Sequence, residues 1–505
     1  MRRYLLANAV HLKTEAFCVW RRGSHFETFG QPKVRLGTPI HQEVGSSATG
    51  VFAEWNWNGS ELRAQTDRLG LYPLYYFFDR DAFGISPSVE ALLAFGASSR
   101  LDDEAMALFC RFGQFVGDDT PFRAIRAAPP NAEILWRDGE ASIQGGYRQP
   151  QVAPASRREA LRKFIELFGR AVERRLPQTE KFVVPLTGGR DSRHIFLELL
   201  AQGYRPHSTV TAYHLPPRNN DDATVAESLS QKAAVPHNVV SHTLGEFGAE
   251  LEKDRRVNLC SFEHIFAPPL AAFVNGFFDT VYDGLGGDML TSGLFLTKEK
   301  HRKLSAGDLD GLVPLLISHA ERPLPYLNRE HRERFSSELA VRRLKKELEL
   351  HRDAANPVTS FYFWNRTRRN VALAPYCFYD QVQFVHTPYV DHELFDFLSS
   401  QPAELFMDGT FHTEALRFRF PSYADVRFEN KTKAYAPPGY YRSLATDMAK
   451  HMLRHKPFRY LSPTFCFSRV ANMALNPWIT PRQAWSFRKL VYFFALQQVT
   501  DKHSE

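Results

Sequence analysis

Short apolar runs broken by turn residues fill the first 147 positions, and longer helical periodicities fill most of the rest. Val51-Phe52-Ala53-Glu54-Trp55-Asn56-Trp57 leads into Asn58-Gly59, with Leu62 to Thr66 as the matching hairpin arm. Gln149 to Ser156 is polar and Pro-bearing, and reads as a linker. From Arg157 onward Leu161, Phe164, Ile165, Leu167 and Phe168 recur at helical spacing. Strand-like runs at 181–186, 208–213 and 279–282 alternate with helices, which predicts a parallel sheet covered on both faces. Residues 307–375 read as mostly helical. The pattern therefore predicts an α+β unit of antiparallel sheets over 1–147 and an α/β parallel-sheet unit with a helical C-terminal portion over 157–445. Residues 446–505 form a basic, aromatic-rich tail with no role assigned.

Composition narrows the function classes. The 505 residues are 44% hydrophobic and 24% charged, the balance of a soluble globular protein of two or three domains. A net charge of +7 permits anionic substrates, but no dense Lys/Arg run interleaved with aromatics points to nucleic acid. The richest basic stretch, Arg342 to Glu349, alternates in sign and reads as a solvated helix face. No uncharged run reaches the roughly 18 residues of a membrane span. The apolar segment Ile265–Phe278 is interrupted by Pro268 and Pro269. Cys18, Cys110, Cys260, Cys377 and Cys466 are widely spaced, and Met1-Arg2-Arg3-Tyr4-Leu5-Leu6 lacks the apolar core of a signal peptide. Reduced thiols in a cytoplasmic protein are expected.

Val183-Val184-Pro185-Leu186-Thr187-Gly188-Gly189-Arg190-Asp191-Ser192 carries the first chemical signal. A buried strand, a glycine turn and a helix N-terminus present backbone N–H groups and partial positive charge to one spot, which suits an anion. The dipole supplies about 0.3–2 kcal/mol, so a polyphosphate also needs a metal or basic side chains. Asp191 is placed for a Mg²⁺ that bridges phosphate oxygens. No Gly-Lys-Ser/Thr follows, so the turn is not a Walker A loop. Val281-Tyr282-Asp283-Gly284-Leu285-Gly286-Gly287-Asp288 repeats the strand, glycine turn and carboxylate. Side by side at the carboxyl ends of neighbouring strands, the two turns would hold one Mg-pyrophosphate, with Asp191 and Asp288 as metal ligands.

These residues resemble the asparagine synthetase family, whose synthetase domain has the N-type ATP pyrophosphatase fold. The family's S-G-G-x-D-S loop is similar to Thr187-Gly188-Gly189-Arg190-Asp191-Ser192. Its next strand and acidic pair resemble Thr209 to Tyr213 and Asp221-Asp222. Its G-x-G-x-D turn is similar to Gly284-Leu285-Gly286-Gly287-Asp288, with Met289 where a Glu usually follows. Its P-F-L-D and L-R segments resemble Pro388-Tyr389-Val390-Asp391 and Leu416-Arg417. In the first unit, Asp67-Arg68-Leu69-Gly70-Leu71-Tyr72-Pro73-Leu74-Tyr75-Tyr76 and Ser86 to Leu93 resemble the class II glutamine amidotransferase domain, an Ntn-hydrolase fold. The resemblance covers roughly residues 45–440.

The resemblance implies ATP and Mg²⁺ as cofactors, with Thr187, Gly188, Gly189, Asp191, Ser192, Gly284, Gly286 and Gly287 around the pyrophosphate. It implies activation of a carboxylate as an acyl-adenylate and attack by an amine. Departures qualify this. An active amidotransferase exposes an N-terminal Cys, but residue 2 is Arg and the first cysteine is Cys18, so glutamine hydrolysis is not expected. The family's E-x-R-x-P falls on Phe384 and His386, leaving His386 as a proton-transfer candidate. The K-x-x-F-x-x-P loop resembles Asn430 to Pro438, where Lys433 is the candidate to offset charge on the leaving group. The expected partners are a small-molecule or peptide carboxylate and an amine, without nucleic acid or membrane, and homodimerisation stays open. A non-catalytic nucleotide-binding or scaffolding homologue is one alternative. A pyrophosphatase-loop enzyme acting on RNA is the other.

Overall fold

The computed structural model describes residues 15–40, 49–216, 218–317, 324–430, 436–479 and 486–503. Ten short strands build two antiparallel sheets. The first joins β1 (Phe17–Arg22), β2 (His25–Gly30), β6 (Tyr75–Phe78), β7 (Ala82–Ser86) and β8 (Arg126–Ala127) in the order β2-β1-β7-β6-β8. The second joins β3 (Lys33–Ile40), β4 (Thr49–Trp57), β5 (Glu61–Thr66), β9 (Glu133–Arg137) and β10 (Glu140–Gln144) in the order β10-β9-β5-β4-β3. The hairpin expected at Asn58-Gly59 is present, with Trp57 opposite Leu62. Alternate residues turn inward, as in β3, so Phe17, Val19, Trp55, Phe83 and Trp136 from both sheets share one core.

The third sheet is wholly parallel. It contains β11 (Phe182–Pro185), β12 (Ser208–Ala212), β13 (His237–Val240), β14 (Thr280–Tyr282) and β15 (Phe384–His386), in the order β13-β12-β11-β14-β15. Its central strands are buried along nearly their whole length, as a sheet with helices on both faces requires. The chain starts in the middle at β11, moves outward to β13, then returns to lay β14 on the other side of β11. That reversal opens a crevice between the carboxyl ends of β11 and β14, where open α/β sheets bind ligands. The predicted glycine turns follow those two strands.

Side chains tie the two-sheet region to the parallel-sheet region. Val385 N–H donates to Thr38 Oγ1 at 3.1 Å, joining the edge of β15 to β3. Arg68 makes a bidentate pair with Asp396, at 2.9 and 2.6 Å. Arg368 and Arg369 donate to carbonyl oxygens at Gly117, Asp119 and Ala128. They lie on a buried π-helical stretch, Phe363–Val371.

Three expectations change here. The run Arg342–Glu349 is not a uniformly solvated face, because its helix (Ser337–Glu349) turns one side toward the first region. Arg343 pairs with Asp119 at 2.7 Å and Glu347 at 3.1 Å, and Glu347 also accepts from Tyr147 Oη. The segment 149–156 is docked, with Ala153 and Ala155 amides bonded to Ser400 and Gln401. The helix Ser486–Lys502 is core: Leu490 through Leu496 are all fully buried. The five cysteines are free, and Cys377 alone is partly exposed. Among the described residues no helix is long and apolar enough to cross a membrane.

Candidate functional site

The turn after β11 is folded by its own hydroxyls. Thr187 N–H donates to Ser192 Oγ at 3.1 Å, and Gly189 N–H donates to Thr187 Oγ1 at 3.2 Å. Gly188 N–H donates to Asp222 Oδ1 at 3.0 Å, so an internal carboxylate holds one amide of the turn. Asp222 heads the helix Asp221–Lys232 after β12, where the acidic pair was expected. Burial raises its pKa, yet the hydrogen-bonded His214 and interaction with the Glu429 side chain, with the Arg218 charge, hold it well below the usual carboxylate range. The first turn of the helix Asp191–Ala201 then adds N–H groups that lack intrahelical acceptors.

The turn after β14 closes directly onto Asp191. Gly286 is left-handed at φ 88°, a conformation that favours glycine. A Cβ on Gly287 would lie 2.5 Å from Asp191 Cγ and 2.7 Å from Oδ1, and one on Gly284 would lie 2.9 Å from Asp191 Cβ. No L side chain fits at that separation, so the two turns require glycine to touch. Asp288 opens the short helix Gly287–Thr291. Burial, and then the negative charge of both Asp191 and Asp288, pushes the Tyr389 hydroxyl well above its ordinary range. Both charges are therefore felt at one tyrosine hydroxyl. Burial also raises Asp283, in the same turn, to about 6, with Leu285 N–H opposing and the Asp191 charge adding to the rise.

Asp191 and Asp288 suit a hard cation that takes the rest of its oxygens from phosphate. Among the described residues no group of three or more His, Cys, Asp or Glu could hold a metal ion by itself. A hard cation at such a pair would have to draw its remaining oxygens from phosphate or water.

Behind Asp191 stands a residue that no sequence motif signalled. His412 is fully buried on the helix Phe411–Arg419, and its Nδ1 lies 3.3 Å from Asp191 Oδ1. In the sequence it falls in an apolar helical pattern with Phe411, Ala415 and Leu416, which reads as core. Tyr389, noticed only as part of a resemblance, donates from Oη to the Asp191 carbonyl at 3.3 Å.

The segment from Val426 to Asn430 crosses the first turn. Arg193 donates to Val426 and Arg427 carbonyls at 2.7 and 2.6 Å, and its guanidinium sits 4.2 Å from the Phe428 ring centroid. Glu429 N–H donates to Gly188 O at 2.9 Å, and Asn430 N–H to Asp221 Oδ2 at 2.6 Å. Lys433 lies outside the described residues, three positions beyond this anchored strap.

His386 sits at the end of β15 among other rings, 5.3 Å from Tyr282 and 6.0 Å from Phe384 by centroid. Burial, and then the Arg175 charge, pushes its pKa down to about 3, so it is neutral at neutral pH. Asp391 is a clamp: Arg174 and Arg175 each reach it at 2.8 Å. Arg417 is exposed, and Met289 is buried. Cys18 is buried in β1, where desolvation pushes its thiol far above the range of a nucleophile, while Arg2 lies outside the described residues.

No protein-family model matches the chain, and no curated protein matches it. Among solved structures, it is similar to one described as the allosteric regulatory enzyme of purine biosynthesis, at 12% identity and a TM-score of 0.15, covering 38% of this chain and 47% of that one. It is also similar to glutamine phosphoribosylpyrophosphate amidotransferase from B. subtilis complexed with ADP and GMP, at 10% identity and a TM-score of 0.18, covering 57% of this chain and 74% of that one. The chain thus spans about half the length of the first, and superpositions this loose carry no functional argument.

Proposed function

We propose that this protein is an ATP-dependent, amide-bond-forming ligase of the asparagine synthase type, with an Ntn-hydrolase-like first region that hydrolyses no glutamine. A substrate carboxylate attacks the α-phosphate of ATP, giving an acyl-adenylate and pyrophosphate. Ammonia or an amine of the substrate then attacks the acyl carbon, giving the amide and AMP. Magnesium, when bound, neutralises charge on the phosphate oxygens. Asp191 and Asp288 hold it, the helix N-terminus at Asp191 faces the anion, and Gly284 and Gly287 let the second turn reach the first. The observation that carries this reading is the direct seating of the Gly284–Gly287 turn on Asp191 at the reversal point of the sheet. The neutral, enclosed His386 makes a weak proton carrier, so in this reading the attacking amine loses its proton to substrate or solvent.

A second reading, a nucleotide-binding relative without turnover, draws on one specific feature: the Thr187, Gly188 and Gly189 amides are already bonded within the protein. ATP–pyrophosphate exchange across a panel of carboxylates separates the two. The ligase exchanges label and Asp191→Ala abolishes it with the melting temperature kept. Full exchange by Asp191→Ala removes the proposed role, and binding of ATP without exchange by any carboxylate favours the second reading.

A further inference from the structure

His412 is the junction of four elements. Its Nδ1 faces Asp191 Oδ1 at 3.3 Å and Thr291 Oγ1 at 2.8 Å, and its Nε2 faces His194 Nδ1 at 3.1 Å and Tyr389 Oη at 3.2 Å. The hydrogen positions follow from chemistry. Thr291 spends its hydroxyl proton on Gly287 O at 2.6 Å, so toward His412 it can only accept. Nδ1 of His412 therefore carries hydrogen, which it gives to Thr291 Oγ1, and Asp191 Oδ1 faces the same N–H at 3.3 Å. On the other side, burial and the neighbouring His412 and Arg419 push the pKa of His194 far down, so that ring is neutral. The Nε2 atom of His194 is buried without a hydrogen-bond partner. A bare lone pair costs less there than an orphaned N–H, which places the His194 hydrogen on Nδ1, donating to His412 Nε2. Tyr389 is left to donate to the Asp191 carbonyl.

Both ring hydrogen bonds then run one way, from His194 through His412 to Thr291, and the positive end of Nδ1–H also faces Asp191 Oδ1. We infer that His412 is the positioning residue of the site: its Nδ1–H, held in place by Thr291, faces Oδ1 of Asp191 at 3.3 Å and leaves Oδ2 to meet the cation shared with Asp288. The inference rests on the ligase reading above, and it extends that reading from the metal ligand to what aims it. Such outer partners of metal ligands are worth about 10–100-fold in metal affinity.

Isothermal titration of the full chain tests this, with magnesium pyrophosphate as one titrant and pyrophosphate in EDTA as the other. His412→Ala should weaken magnesium pyrophosphate binding about 10–100-fold and leave binding in EDTA unchanged. His412→Asn places an amide N–H where Nδ1–H stood and should restore most of the affinity, whereas His412→Gln reaches the Nε2 position and should not. Equal behaviour of Asn and Gln, or an unweakened Ala variant, overturns the inference, because a packing role cannot tell the two amides apart. The Asn and Gln pair carries the test if the Ala variant fails to fold. Wild-type protein that binds no magnesium pyrophosphate overturns the ligase reading itself.

Discussion

Asp67 and Asp191 both stand at a turn after a strand, one in each region, yet they are used in opposite ways. The Asp67 carboxylate is 1% exposed and takes hydrogen bonds from the Leu69, Leu71 and Tyr72 amides of its own loop. Burial raises its pKa to about 6, and the backbone donors only partly offset that. Nothing is left over for a ligand. The Asp191 side chain is 23% exposed, and its described side-chain partner is one imidazole brought from 221 residues away. A carboxylate consumed by local backbone builds a loop, whereas one steadied by a single distant donor keeps an oxygen for chemistry. The same residue type after a strand is therefore not a functional signal until its donors are known.

The largest effect expected from breaking this contrast is at Asp67. Asp67→Ala strips the buried Leu69 and Leu71 amides and the part-buried Tyr72 amide of their acceptor, and each buried one costs about 1–3 kcal/mol. A loss on the order of 4 kcal/mol in denaturant unfolding should follow, with exchange per folded molecule unchanged. A loss under about 1 kcal/mol would mean that the loop finds other acceptors.

Next comes Gly287→Ala, which drives a methyl group into Asp191. Pyrophosphate exchange per folded molecule should fall about 10²-fold, in line with a misplaced catalytic group, and the overlap should cost about 1–3 kcal/mol of stability. A variant with full activity would show that the turns need not touch.

The smallest effect lies between the regions, at Glu347. Burial raises its pKa, but His351, Arg343 and Tyr147 outweigh that and bring it to about 2. A depressed folded pKa stabilises above the unfolded value, and that stabilisation is lost as the pH falls toward the folded one. Glu347→Gln should cost about 1–3 kcal/mol near neutral pH, and the gap to wild type should close as the pH drops from about 5 to about 2. A gap that holds constant with pH would assign the loss to shape instead of charge.

The strands around the site were legible because their signals are local. The apolar run Phe182 to Leu186 before Gly188-Gly189 marks β11, Val281-Tyr282 before Asp283-Gly284 marks β14, and the acidic pair at Asp221-Asp222 marks the helix after β12. The hairpin of β4 and β5 was legible from Asn58-Gly59. What stayed hidden depends on partners far away in sequence. His412 looks like any helix residue until the helix Phe411–Arg419 is laid against the helices that follow β11 and β14. The sign-alternating run at Arg342–Glu349 looks solvated until Asp119 arrives opposite Arg343. The aromatic stretch near 490 has no polar face, so its pattern fits a core helix as well as a tail, and only its surroundings decide.

That helix has a consequence for synthesis. From Ser486–Lys502 it reaches both regions: Lys489 Nζ donates to the Cys110 carbonyl, Tyr492 Oη to the Leu259 carbonyl, and Lys502 pairs with Glu90. A growing chain normally settles its leading portion while the remainder is still being made. Here the surfaces that the helix Ser486–Lys502 buries cannot be covered before residue 502 has been made, so the earlier portions finish their packing only with the last helix.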